Sequence, residues 1–564
     1  MRFLQSSLLL CLSVVTVLAA PNATLGNATV TGLQNGTLDK FLGIPFANPP
    51  VGDLRFRLPV NISSYNQSFD ATQYGFTCVA QNSTASSNLV KTAGKIIGYL
   101  FGDDDEPKTP QSEDCLTLNV VRPSNATSNS SLPVLVWIYG GGFQGGSTIS
   151  YDNMSTTVVQ RSMEVGKPVI FVSMNYRATA FGFIASQEVK QAGVGNIGLY
   201  DRTLHLLPFS FSSSSSPILI FFFRAERAAL GWVKKYIGSF GGNSSRIILW
   251  GESAGAISAS LQMLAYDGNA GDLFHGAFMQ SGAPIPVGDM SLGQPWYDQL
   301  VQNANCTGQN DTLSCLRSTS LDTLTSAIQQ SPGLWSYQSL VLAWMPRADG
   351  VFLTDHPQKL VSADKVARIP MVSGNCDDEG TLFSQSSTNV TNDGEFHTYI
   401  QTLWLPNATD AQLSPLYDAY PSDPSDGSPF NTSIASAITG QYKRIAAFQG
   451  DAVFQAPRRY FMRQSVGKQP IWGFLSRRLK YVPILGSFHG SDLYLDLMND
   501  YVIYFANNLD PNTGSGVNWP QYTNDSLAVY TFLDRESQDI EITQDTYRQQ
   551  PIQILTNLSL QYPI

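Results

Sequence analysis

The chain has 564 residues, room for one large domain or several ordinary ones, and it is 43% hydrophobic but only 14% charged, a globular composition. A net charge of -10 with no basic cluster argues against nucleic acid as a partner. Met1-Arg2, the apolar run 8–18 and the small pair Ala19-Ala20 read as a secretory signal peptide over 1–20. The run is short for a membrane anchor, no stop-transfer pattern follows, and 561–564 is not an ER-retention signal. Glycosylation acceptors at Asn22, Asn27, Asn61, Asn82, Asn125, Asn153, Asn389, Asn407 and Asn524 suit an extracellular surface. Cys11 leaves with the leader, and Cys78, Cys115, Cys306, Cys315 and Cys376 remain, an odd number in an oxidising compartment. No C-x-x-C or His-rich spacing suggests a metal, and no cofactor is expected.

From 29 to 59 strand-like pieces alternate with turns, with a breaker at Asn48-Pro49-Pro50. Residues 88–101 carry an amphipathic helical pattern (Leu89, Val90, Ile96, Ile97, Leu100) ahead of an acidic turn. That pattern fits a lid over an apolar site, or equally a surface excursion packed permanently on the core. The strand 132–138 runs into Gly140-Gly141-Gly142-Phe143. Consecutive glycines leave their N–H groups unshielded, so two of them can point at one oxygen, as the anionic intermediate of acyl transfer requires. A second strand, 168–175, leads to Tyr176-Arg177, and the continuing alternation of helical and strand-like pieces favours an α/β fold with a mostly parallel sheet.

The β-branched, apolar run 246–250 reads as a buried strand, and 256–264 reads as a helix. Between them stands Gly251-Glu252-Ser253-Ala254-Gly255, the G-x-S-x-G arrangement of a nucleophile elbow. Such a turn lifts the serine hydroxyl clear of the sheet and aims a helix N-terminus at developing negative charge. In this fold the order is Ser, acid, His. Of His275, His356, His397 and His489, the first follows the elbow too closely and the next two lack a glycine-flanked loop after a strand. His489, in Gly486-Ser487-Phe488-His489-Gly490-Ser491, is the best base. For the acid, the strand 369–373 leads to Asp377, Asp378 and Glu379, and spacing does not choose among them.

With these motifs placed, the chain resembles the type-B carboxylesterase/lipase family of α/β-hydrolases, and within it the secreted fungal lipases of the Candida rugosa and Geotrichum type. Further markers are Phe41-Leu42-Gly43-Ile44-Pro45, Leu54-Arg55-Phe56, Ser112-Glu113-Asp114-Cys115-Leu116, Met279-Gln280-Ser281-Gly282 and Asp377-Asp378-Glu379-Gly380. The resemblance implies an α/β-hydrolase fold over 21–564: one large, mostly parallel sheet flanked by helices, with a disulfide-closed lid loop. It implies a catalytic Ser253, Glu379 and His489, and an oxyanion hole from the amides of Gly141, Gly142 and Ala254. It also implies disulfides Cys78–Cys115 and Cys306–Cys315 with Cys376 unpaired, and structural ion pairs Arg55–Glu113 and Arg177–Asp201. Trp472, Phe474, Phe383 and Phe488 are candidate walls of an acyl pocket, or equally plain core residues.

One stretch departs from the pattern. Gly195-Asn196-Ile197-Gly198-Leu199-Tyr200-Asp201 is expected to run almost directly into Arg227-Ala228-Ala229-Leu230-Gly231-Trp232-Val233, yet 202–226 intervene with a serine run and the apolar 218–223. The segment is too apolar for a solvated loop and a poor helix former, and it reads as a retained intron or else as a membrane-contacting insertion. The function expected is secreted hydrolysis of carboxylic esters, with lipids as substrates and the lid touching the lipid–water interface. The alternative is a catalytically inactive adhesion or binding protein on the same fold. Cholinesterase is disfavoured because no Trp lies between Cys78 and Cys115.

Overall fold

The computed structural model describes residues 20–81, 109–201, 228–534 and 539–564. The expected lid segment 88–101, the stretch 202–226 and the expected leader up to residue 19 lie outside the described residues. Among the described residues, eleven strands form the main sheet: β1 (Leu33–Asn35), β2 (Leu38–Pro45), β3 (Thr117–Pro123), β4 (Leu132–Ile138), β5 (Ile170–Met174), β6 (Gly242–Glu252), β7 (Gly276–Gln280), β8 (Met371–Cys376), β9 (Ile471–Ser476), β10 (Ala528–Phe532) and β11 (Ile540–Gln544). Their order across the sheet is β11-β10-β9-β8-β7-β6-β4-β5-β3-β2-β1. The run from β10 to β5 is parallel throughout, and antiparallel strands close both ends.

The central strands read as apolar runs because both faces of a parallel sheet are covered. From Val134 to Ile138 every residue of β4 is buried, and so is every residue of β7, β8 and β9. Trp137 of β4 and Trp250 of β6 meet edge to face at 4.8 Å inside this core. Helices flank the sheet. α1 (Asp152–Glu164) packs on β3 and β5, and α2 (Ile197–Asp201) packs on α3 (Ala228–Tyr236), which also touches β6. α4 (Ala254–Gly268) packs on β4, β6 and β7 and leaves helical geometry at Ala265, Tyr266 and Asp267. Among the described residues no helix is long and apolar enough to cross a membrane.

Strand register brings the loops of the site together. Gly251 stands opposite Ile138, and Glu252 opposite Gln280. The C-terminal ends of β4, β6 and β7 are therefore level, and the loops beyond them converge on one side of the sheet. That is where parallel α/β sheets place their ligands.

Candidate active site

β6 ends at Glu252, α4 begins at Ala254, and Ser253 turns the chain between them with φ 55° and ψ -127°. This is a strained backbone for a residue with a side chain. It is held from both sides, as the Ser253 N–H donates to the Gln280 carbonyl (2.9 Å) and its carbonyl accepts the Ile257 N–H (2.9 Å). The flanking glycines are steric requirements. A methyl group at Gly251 would lie 2.5 Å from the Gly255 carbonyl carbon, and one at Gly255 would lie 1.9 Å from the Ile138 oxygen. The first amides of α4 have no acceptor within the helix and carry the positive end of its dipole. Beyond β4, Gly141 (φ 98°) and Gly142 (φ 62°) bend the glycine loop back over the elbow. Gly141, Gly142, Ser253, Ala254 and His489 all line one cleft of about 630 Å³.

His489 enters from the loop after β9. Its Nδ1 lies 2.5 Å from Glu379 Oε2, while Glu379 Oε1 accepts the Ser281 hydroxyl (2.7 Å) and the Cys376 N–H (2.7 Å). With two donors on one carboxylate oxygen, the other is left to accept from the ring, so Nδ1 carries a proton and Nε2 is the nitrogen not engaged by Glu379. Nε2 lies 3.2 Å from Glu252 Oε1 and makes no hydrogen bond among the described residues. Phe454 and Phe383 pack on the ring at 4.6 and 5.0 Å. Burial alone would lower the imidazole pKa, but the charges of Glu379 and Glu252 and the Glu379 hydrogen bond outweigh it and raise it to about 9. Burial pushes Glu252 up to about 8 against the pull of His489.

The other two carboxylates of the acid loop are occupied elsewhere. Asp377 faces Lys480 (2.9 Å), Arg477 (3.4 Å) and Arg548 (3.7 Å), cations that outweigh its burial and hold it below the usual carboxylate range. Asp378 accepts from Lys480 (2.7 Å), the Ser428 hydroxyl (3.0 Å) and the Phe430 and Ser487 amides (2.9 and 2.8 Å). Neither pairs with His489. Among the described residues no group of three or more His, Cys, Asp or Glu is placed to hold a metal ion.

The sequence model described as the carboxylesterase family matches residues 19–207 and 226–495. The chain belongs to the carboxylesterase family. It is 41% identical to Lipase 4 of Diutina rugosa, covering 95% of each chain. It is 38% identical to Lipase 1 of Geotrichum candidum (91% of this chain, 92% of that one) and 37% identical to Secreted lipase 1 of Botryotinia fuckeliana (90% and 88%). Its structure is similar to the crystal structure of Aspergillus niger EstA, with a TM-score of 0.77 at 26% identity over 97% of this chain and 99% of that one. It is a carboxylic ester hydrolase on the α/β-hydrolase fold.

In this carboxylesterase the structure separates the candidate pocket walls from core residues. Of the four aromatics, only Phe383 lines the cleft, together with Leu334, Trp335, Leu342 and Phe454. Trp472 and Phe474 are core residues of β9, a strand buried on both faces, and Phe488 packs into a separate cluster with Leu479, Val482 and Leu485. Apolar character gave no clue to which buried aromatics face the cleft. Arg55–Glu113 and Arg177–Asp201 are buried pairs with contacts of 2.5 Å, and Cys78–Cys115 and Cys306–Cys315 are disulfides. Cys376 is unpaired and buried, with its thiol pKa pushed well up by burial. Sequence reasoning missed Glu252 and Ser281 as neighbours of the site. Both stand inside motifs already singled out, where only Ser253 and the Ala254 amide had been weighed for chemistry.

Proposed function

We propose that the protein is a secreted serine hydrolase that cleaves the esters of lipids through an acyl-enzyme, with Ser253, His489 and Glu379 as its triad. The observation that carries this reading is the buried Glu379–His489 pair, which leaves Nε2 as a base facing the cleft that Ser253 lines. Ser253 Oγ attacks the ester carbonyl while His489 Nε2 takes its proton and then delivers it to the departing alcohol. Water repeats the sequence on the acyl-enzyme and releases the acid. Glu379 keeps the ring in the required tautomer and stabilises the imidazolium. The amides of Gly141, Gly142 and Ala254 form the oxyanion hole, where one donor contributes about 3 kcal/mol to the transition state.

Lipid substrates are supported by the apolar lining of the cleft (Leu334, Trp335, Leu342, Phe383 and Phe454) and by relatives named lipases. Secretion is supported by the leader pattern of 1–20 and by a relative named a secreted lipase. The lid reading of 88–101 stays part of the proposal, as does the reading of 202–226 as a retained intron, and the family match breaks off at 207 and resumes at 226. Hydrolysis of p-nitrophenyl esters by the wild type and by Ser253→Ala tests the mechanism, and equal rates overturn it. A series of acyl chain lengths, each taken below and above its solubility limit, tests the substrate. A lidded lipase increases its rate sharply at the interface, and a rate that merely saturates removes the lipid reading.

A further inference from the structure

We propose that Gln280 is a positioning residue that ties the elbow carrying Ser253 to the loop carrying His489. It is the last residue of β7 and is 1% exposed. Three bonds leave it in three directions. Its carbonyl accepts the Ser253 N–H at 2.9 Å, and its Oε1 accepts the Trp250 indole N–H at 2.6 Å. Its Nε2 donates to Asp492 Oδ2 at 2.8 Å.

The amide has only one workable orientation. Indole is a donor only, so a flip would turn the amide NH2 towards it, break that bond and set the amide oxygen against the Asp492 carboxyl. Trp250 lies on the strand that leads into the elbow. Asp492 lies three residues beyond His489, is fully buried, and has no Lys or Arg partner among the described residues. Its other side-chain contact is the Cys376 thiol, 3.6 Å from Oδ1. The neighbouring Ser281 holds Glu379. The end of β7 thus touches the supports of all three proposed triad members, and the Gln280 side chain joins the strand leading to Ser253 to the loop carrying His489.

Displacement of a reacting group by about 1 Å costs up to about a hundredfold in rate, which sets the size of the expected effect. The proposal rests on Ser253 and His489 as nucleophile and base, so Ser253→Ala is measured beside it. Rates are normalised to sites titrated with diethyl p-nitrophenyl phosphate. Gln280→Leu keeps the volume and removes both side-chain bonds. Its kcat per titrated site is expected to fall about ten- to a hundredfold with KM within about twofold. Gln280→Glu keeps the acceptor for Trp250 but sets a carboxylate against Asp492, so it can restore the link only when protonated.

The charged and titratable groups around that point are Asp492, Glu252, Glu379, His489 and Cys376. An added carboxylate shifts these groups only while it is ionised, so as it becomes protonated with falling pH the ratio of Gln280→Glu to wild-type kcat is expected to rise. A residue that only fills space predicts a lower melting temperature with kcat per site and this ratio unmoved, and that result overturns the proposal. Should Gln280→Leu not fold, the Gln280→Glu ratio decides alone. An active Ser253→Ala would instead overturn the proposed function itself.

Discussion

Replacing Glu379 by glutamine is nearly isosteric, so the expected loss comes from chemistry and not from packing. Glu379 Oε1 accepts two donors, Ser281 Oγ and the Cys376 N–H, both at 2.7 Å. The amide oxygen of the new side chain must stay on that side, because a flip would press its NH2 against the Cys376 N–H, which cannot accept. The NH2 therefore faces His489 Nδ1, where the carboxylate oxygen stood at 2.5 Å. A donor at that position forces Nδ1 to accept, moves the ring proton to Nε2, and leaves nothing to receive the Ser253 proton. The same wrong-tautomer change in another serine hydrolase lowers kcat about 10⁴-fold, equivalent to about 5.4 kcal/mol at 1.36 kcal/mol per decade. The assay is p-nitrophenyl butyrate turnover per titrated site, with the melting temperature measured alongside. A folded Glu379→Gln enzyme with kcat within tenfold of wild type would refute the assignment of Glu379 as the orienting acid.

His489 must be neutral to accept a proton, so kcat/KM is expected to rise with pH, with a midpoint above the ordinary 6.5 and towards about 9. In Glu252→Gln the ring loses a neighbouring negative charge and the ascending limb moves to lower pH; an unmoved limb in the pH profile would count against the Glu252–His489 contact. Asp545 is fully buried between Arg458 (2.7 Å) and Arg459 (2.8 Å). Burial alone would raise its pKa, but the two guanidinium groups outweigh burial and hold it far below the usual range. Its contribution to stability is full above the unfolded carboxylate pKa of about 4 and is lost as the pH falls below it. Asp545→Asn strands two buried cations and is expected to cost about 3–5 kcal/mol in chemical denaturation, with kcat per titrated site unchanged. Sequencing the transcript tests 202–226: codons for the segment in every message would end the intron reading. A chain without 202–226 is expected to give more soluble, active protein.

The sequence by itself determined the features that rest on short-range backbone chemistry. Gly251 and Gly255 are required because a Cβ there has no room, and Gly141 and Gly142 take positive φ values that favour glycine. Such needs are written at fixed spacing in a few adjacent residues, so the elbow, the glycine loop and the parallel strands between them were legible. Spacing left open which of Asp377, Asp378 and Glu379 meets His489; the family resemblance implied Glu379, and the tertiary structure supplies the physical reason. Three adjacent carboxylates are equivalent in local text, and the choice depends on Lys480, Arg477, Arg548 and the 428–430 loop claiming the first two. The same holds for the cleft. Phe383 faces it while Trp472, Phe474 and Phe488 do not, because burial measures the loss of water and not the direction of a side chain. Gln280 is only one letter of a family marker until Trp250 and Asp492, 30 and 212 residues away, are brought to its two ends.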